Sequence, residues 1–129
     1  MSTMSKLIAF IEDEVEMEFL YGLMLEELIH SEQVQMKFFS DTRVFQTWLQ
    51  QNRPDLIVSD ISMPYLSGPE LGHRIRETGF NVPTYFVSGH DELDYVDSMK
   101  ELGICRYFSK PLNVDQLMQF IKSDLQLKG

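Results

Sequence analysis

Cysteine, basic residues and long apolar runs are all scarce in this sequence, and each shortage excludes a class of protein. Cys105 has no second cysteine to pair with, so an internal disulfide is excluded and a reducing, cytoplasmic location is expected. Lys and Arg number 11 against 20 Asp and Glu, a formal net charge of −9. Because phosphate neutralisation needs a basic face, we expect no direct contact with nucleic acid.

No targeting or membrane segment is predicted either. The run Leu7–Ile11 is far too short for a signal-peptide core and leads straight into acidic residues. No run approaches the roughly 20 apolar residues that span a bilayer. The 129 residues, 43% of them hydrophobic, suit one globular domain over 1–129, with no internal linker.

Short apolar runs alternate with segments of helical periodicity five times along the chain. The predicted strands are Leu7–Ile11, Val34–Phe39, Leu56–Val58, Thr84–Val87 and Tyr107–Ser109. The predicted helices cover Val15–Ile29, a segment capped by Ser40 or Asp41, about Pro69–Glu77, a segment capped by Asp91, and a segment capped by Asn113. This alternation indicates a doubly wound α/β fold, a parallel sheet with helices on both faces.

The helical spacing also predicts which side chains face the core. In the first helix these are Phe19, Leu20, Leu23, Met24 and Leu28. In the second they are Val44, Phe45, Trp48 and Leu49, and in the last Leu117, Phe120, Ile121 and Leu125.

Reactive side chains follow four of the predicted strands. Glu12 and Asp13 come after the first, Asp60 after the third, Ser88 after the fourth and Lys110 after the fifth. The carboxyl ends of parallel strands share one edge of the sheet, so we expect these groups to meet there. Three crowded carboxylates require a compensating cation, and Mg²⁺ fits because it uses few carboxylates and keeps water for phosphoryl oxygens. An aspartate flanked by a metal, a lysine and a hydroxyl can accept a phosphoryl group.

The pattern resembles the receiver domain of two-component response regulators over nearly the whole chain. The residues that carry the resemblance are Glu12-Asp13, Asp60-x-x-Met63-Pro64 with Gly68 beyond, Ser88, Tyr107 and Lys110-Pro111. The resemblance implies a flavodoxin-like fold with strand order 2-1-3-4-5. It also implies that Asp60 is the phosphoacceptor and that Glu12, Asp13, Asp60 and the backbone carbonyl of Ser62 hold Mg²⁺.

The same resemblance implies a switch and two kinds of partner. Lys110 would pair with the phosphoryl group, Ser88 would hydrogen-bond it, Tyr107 would report it, and the Lys110–Pro111 peptide would be cis. The expected phosphodonor is a sensor histidine kinase or a phosphotransfer protein. A downstream protein or a second copy would bind the face formed by the fourth predicted helix, the fifth strand and the last helix.

Two other functions use related residues. A phosphatase of the haloacid dehalogenase type also has a strand-end aspartate, but it places a second aspartate two residues later, where this chain has Ser62. A flavodoxin-like electron carrier needs a phosphate-binding loop rich in Ser, Thr and Gly after the first strand, and none follows it. We therefore expect a phosphorylation-controlled binding module rather than an enzyme.

Overall fold

The computed structural model describes residues 5–60, 77, 82–89 and 105–128. Five parallel strands form one sheet in the order β2-β1-β3-β4-β5, which confirms the predicted topology. The strands are β1 Lys6–Ile11, β2 Val34–Phe39, β3 Leu56–Asp60, β4 Thr84–Ser88 and β5 Cys105–Ser109. Every residue of β3 and β4 is buried, as expected for central strands covered on both faces.

Helices pack on both faces of this sheet. They are α1 Val15–Met24, α2 Glu26–His30, α3 Thr42–Leu49 and α4 Val114–Asp124. Side chains of α1, α2 and α4 pack together with β1, β3 and β4 in one apolar cluster, whereas Phe45 and Leu49 of α3 pack with Ala9, Ile11 and Ile57 in another. Because residues alternate between the two faces of a strand, the two clusters lie on opposite sides of the sheet.

Two of the predicted helix caps are confirmed. The Asp41 carboxylate accepts a hydrogen bond from the Arg43 backbone N–H at 2.7 Å, at the start of α3. The Asn113 side chain accepts one from the Gln116 backbone N–H at 3.1 Å, at the start of α4. Each cap satisfies one of the N–H groups that the first turn of a helix leaves without an intrahelical partner.

The first predicted helix differs from the structure in two respects. Leu25, with ψ near 1°, interrupts it, although the backbone hydrogen bonds Leu25 N–H to Tyr21 and Ile29 N–H to Leu25 continue across the break. The assignment of Phe19 and Leu23 to the core is also wrong, because these side chains are 69% and 54% exposed. Apolar residues occupy two stripes of α1, and periodicity alone does not show which stripe meets the sheet.

Smaller corrections concern α3 and β5. Val44 is 57% exposed and not in the core, while Phe45 and Leu49 are buried and Trp48 is half-buried, as predicted. Strand β5 begins at Cys105, two residues before the predicted start. The predicted helix at about Pro69–Glu77, except Glu77 itself, and the one following Asp91 lie outside the described residues. No helix among the described residues is long and apolar enough to cross a membrane.

A polar cluster joins α4 to β4 and β5 at one side of the sheet. Arg106 donates hydrogen bonds from Nε and from a terminal nitrogen to the two Asp124 carboxylate oxygens, at 2.8 and 2.9 Å. The hydroxyl of the fully buried Tyr85 donates to the same carboxylate. The Arg106 guanidinium also lies over the Phe120 ring, 3.9 Å from its centroid. These contacts fix β4, β5 and α4 to one another on the face of the sheet that also carries α1.

Candidate functional site

Carboxylates from two strand ends converge at one edge of the sheet. Glu12 and Asp13 follow β1, and Asp60 is the last residue of β3, where each had been predicted. Together with Glu14 they offer oxygen atoms that all lie within 4.8 Å of one another. Glu12 and Asp60 are buried, whereas Asp13 and Glu14 are exposed. Solvent therefore reaches the cluster on the side of Asp13 and Glu14.

Lys110 supplies the positive charge of this cluster. Its Nζ donates to Glu12 Oε2 at 3.2 Å and to Asp60 Oδ2 at 3.3 Å, and it lies 3.6 Å from Glu14 Oε1. One ammonium group thereby joins two carboxylates that are distant in sequence. Glu12 lies 98 positions before Lys110, and Asp60 lies 50 positions before it. The predicted convergence of the ends of β1, β3 and β5 is therefore present.

The negative charge of the site exceeds what one ammonium can balance. Burial first, and then the charge of Asp60, raise the pKa of Glu12 from 4.5 to about 7, although hydrogen bonds from Glu14 N–H and Lys110 act in the opposite direction. Burial lowers the pKa of Lys110, but the charge of Asp60 and the hydrogen bond to Glu12 outweigh it and raise that pKa overall. Glu12 thus holds its proton more tightly than a free glutamate does.

Ser88 and Tyr107 lie on the neighbouring strands β4 and β5. Ser88 is fully buried at the end of β4, and its backbone carbonyl accepts a hydrogen bond from the Lys110 N–H at 2.7 Å. Tyr107 is half-buried on β5, in register with Phe86 of β4. The Lys110–Pro111 peptide is cis, as predicted. Ser62, whose carbonyl was expected to bind the metal, lies outside the described residues, as do Met63, Pro64 and Gly68.

Two residues near the site were missed by sequence reasoning. Glu14 is the N-terminal flanking residue of α1, but its side chain does not cap the helix and lies beside Lys110 instead. Its position directly after the acidic pair was a visible signal. Tyr21 is buried on α1 and stacks on Phe10 at 4.3 Å. Burial, followed by the charges of Glu12 and Asp60, raises the pKa of Tyr21, so its hydroxyl remains protonated behind the site.

The residues present fit a divalent cation. Carboxylate oxygens are the ligands that Mg²⁺ prefers, and the group of Glu12, Asp13, Glu14 and Asp60 supplies four of them on a spacing that one ion can bridge. Burial and the neighbouring charge of Asp60 raise the pKa of Glu12, and a bound cation would oppose both effects.

Comparison with known proteins identifies the family. The model of the response regulator receiver domain matches residues 8–122, so the chain belongs to that family. It is a receiver domain of the two-component response regulator type, the phosphoacceptor module of that signalling system. Magnesium is the cofactor of the acidic cleft in this family.

Individual relatives agree with this assignment. The chain is 32% identical over 79 residues to sporulation initiation phosphotransferase F of Bacillus subtilis, covering 61% of this chain and 64% of that protein. It is 26% identical over 103 residues to the response regulator protein TodT of Pseudomonas putida, covering 80% of this chain and 45% of that protein. The chain thus spans less than two thirds of the length of either relative.

A solved structure shows the same fold. The receiver domain of the sensor histidine kinase PA1611 from Pseudomonas aeruginosa, solved with magnesium in its active-site cleft, superposes with a TM-score of 0.76 at 20% identity. The superposition covers 95% of this chain and 98% of that one. At this level of identity the likeness supports the fold alone.

Proposed function

We propose that Asp60 accepts a phosphoryl group from a phosphohistidine of a sensor histidine kinase or a phosphotransfer protein. The observation that carries this assignment is the position of Asp60. It is the carboxylate at the end of the central strand β3, it is 7% exposed, and its Oδ2 lies 3.3 Å from Lys110 Nζ. A carboxylate held in this way is fixed at the strand end and lies next to a cation that can stabilise an incoming phosphoryl group.

In the transfer step, an Asp60 oxygen forms a bond to phosphorus while the bond from phosphorus to the donor imidazole nitrogen breaks. The electron pair of the broken bond stays on that nitrogen, and the product on this chain is an acyl phosphate. The Lys110 ammonium can contact the phosphoryl oxygens after the transfer with little movement, because its Nζ already contacts the Asp60 carboxylate. Glu12, Asp13 and Asp60, with the Ser62 carbonyl, would hold Mg²⁺, which when bound supplies charge neutralisation for the phosphoryl oxygens.

Phosphorylation would then alter a partner surface through Ser88 and Tyr107. The phosphoryl group brings about −1.5 to −2 charge and acceptor oxygens to the sheet edge. The Ser88 hydroxyl, on the strand next to Asp60, would donate to one of these oxygens. We infer that Tyr107, on the adjacent strand β5, then favours an inward rotamer and changes the face formed by the helix after Asp91, β5 and α4.

We further infer that the chain works as a regulated binding module in the cytoplasm rather than as an enzyme. Its partners would be the phosphodonor and a downstream protein, with no membrane contact and no direct contact with nucleic acid. The acidic composition supports the last point, because a net charge of −9 repels a phosphate backbone.

Phosphotransfer with a matched control tests the acceptor. Acetyl phosphate or a phosphorylated kinase, with Mg²⁺, should add one phosphoryl group to the wild-type protein, as measured by intact-protein mass spectrometry. Asp60→Asn should abolish the addition. Asp55→Asn should retain it, because Asp55 precedes the same strand at its opposite end and its Oδ2 accepts from the Leu7 N–H. Labelling of Asp60→Asn at the wild-type rate would overturn the assignment.

The metal requirement is tested separately. Asp13→Asn should weaken both Mg²⁺ binding, measured by isothermal titration calorimetry, and the phosphotransfer rate. The exposed Asp13 carboxylate is one of the four clustered carboxylates but contributes no buried packing, so the fold should persist. Phosphotransfer that proceeds unchanged in EDTA would contradict the assignment of the cluster to a metal.

A further inference from the structure

A row of large apolar side chains is exposed along α1. Val15, Phe19 and Leu23 follow one another at intervals of four residues and are 74%, 69% and 54% exposed. Side chains at this spacing lie on one face of a helix, so the row forms a continuous stripe about 12 Å long. Isolated exposed apolar residues are ordinary, but a contiguous stripe is typical of a surface that another protein covers.

The stripe leads into a groove between α1–α2 and α4. Leu23 belongs to both, and Met24 and Met118 line the groove from its two sides. The cavity volume is about 530 Å³. The groove lies next to the C-terminal part of α4, away from the carboxylate cluster at the start of α1.

The two sides of this groove carry opposite charges. Glu26 and Glu27 of α2 line one side, and Lys122 of α4 and Lys128 line the other. Among the described residues, none of these four side chains forms an ion pair within the chain. Lys122 is half-buried, and it lines the groove.

We propose that this surface, the α1 stripe with the groove beside it, is the interface of a two-fold symmetric dimer of this chain. A two-fold axis brings the same surface of two copies together with reversed orientation. When the axis runs along the groove, the acidic side of one groove faces the basic side of the other, and both stripes become covered. A partner whose charge has a single sign would be repelled by one side of the groove, whereas a second copy satisfies both. This inference is independent of the phosphoacceptor assignment and goes beyond it.

Charge reversal with mixing tests the interface. Sedimentation velocity at about 0.15 M salt, where net repulsion is screened beyond about 8 Å, should show a concentration-dependent dimer of the wild-type protein. Glu27→Lys and Lys122→Glu should each weaken self-association by about a hundredfold or more, because symmetry places two like-charge contacts in every dimer. An equimolar mixture of the two variants should dimerise again, since both contacts in the mixed dimer pair opposite charges.

The controls separate this surface from others. Lys37→Glu makes the same change in net charge as Lys122→Glu at an exposed position of β2 outside the groove, and it should leave the dimer intact. Phe19→Ser should give a monomer without loss of folding, because Phe19 is mostly exposed. A wild-type protein that stays monomeric would overturn the proposal. So would a dimer that is unaffected by Glu27→Lys and Phe19→Ser, which would indicate association through another face.

Discussion

Glu12 should make the metal-free protein less stable as the pH rises from 4.5 to about 7. The pKa of this carboxyl group is 4.5 in an unperturbed glutamate and about 7 in the folded protein, because the group is buried and lies beside Asp60. Within this window the unfolded chain loses the proton and the folded chain retains it, so the free energy of unfolding falls with rising pH. The difference between the two pKa values lowers the free energy of unfolding by roughly 3 kcal/mol once the pH is above 7. Lys110 does not change this slope, because its pKa is raised from 10.5, above the window.

Urea denaturation in EDTA, monitored by circular dichroism between pH 5 and 8, measures this dependence. Glu12→Gln should flatten the pH dependence while keeping an oxygen that accepts from the Glu14 N–H. Glu16→Gln removes an exposed carboxyl group of α1 and should leave the slope unchanged. Mg²⁺ competes with the proton, so it should stabilise the wild-type protein more at pH 8 than at pH 5. An identical slope in wild type and Glu12→Gln would refute the assignment of the effect to Glu12.

Two further predictions concern the side of the sheet formed by β4 and β5. Asp124→Asn should lower the free energy of unfolding by about 2–3 kcal/mol in urea titrations, because Arg106 and Tyr85 lose a charged acceptor. The hydrogen bond from Arg106 lowers the pKa of Asp124, so its contribution should persist above pH 3.8 and disappear as the pH falls further; an unchanged difference at pH 3 would contradict this. Ser88→Ala should still allow phosphorylation while abolishing the beryllofluoride-induced NMR shift at Tyr107, and equal shifts in both proteins would show that Ser88 does not transmit the signal.

Much of the fold and of the site could be predicted from the sequence because the determining patterns are local. Alternation of short apolar runs with helical spacing identified all five strands, and helix caps were predicted at Ser40 or Asp41 and at Asn113 from their neighbours alone. The meeting of Glu12, Asp13, Asp60 and Lys110 followed from one rule, since parallel strands bring their carboxyl ends to a single edge. None of these inferences needs the exact packing of side chains.

Only the tertiary structure decided which surfaces are buried and which distant groups touch. The sequence of α1 offers two apolar stripes, and packing against the sheet buried the one with Tyr21 and left Phe19 exposed. The contact of Asp124 with Tyr85 spans 39 residues, and no local pattern encodes its geometry. The number of carboxylates around Lys110 likewise depends on where the chain turns after Asp13, which placed Glu14 beside the ammonium. Such contacts depend on the relative placement of packed elements, whereas periodicity reports only the elements themselves.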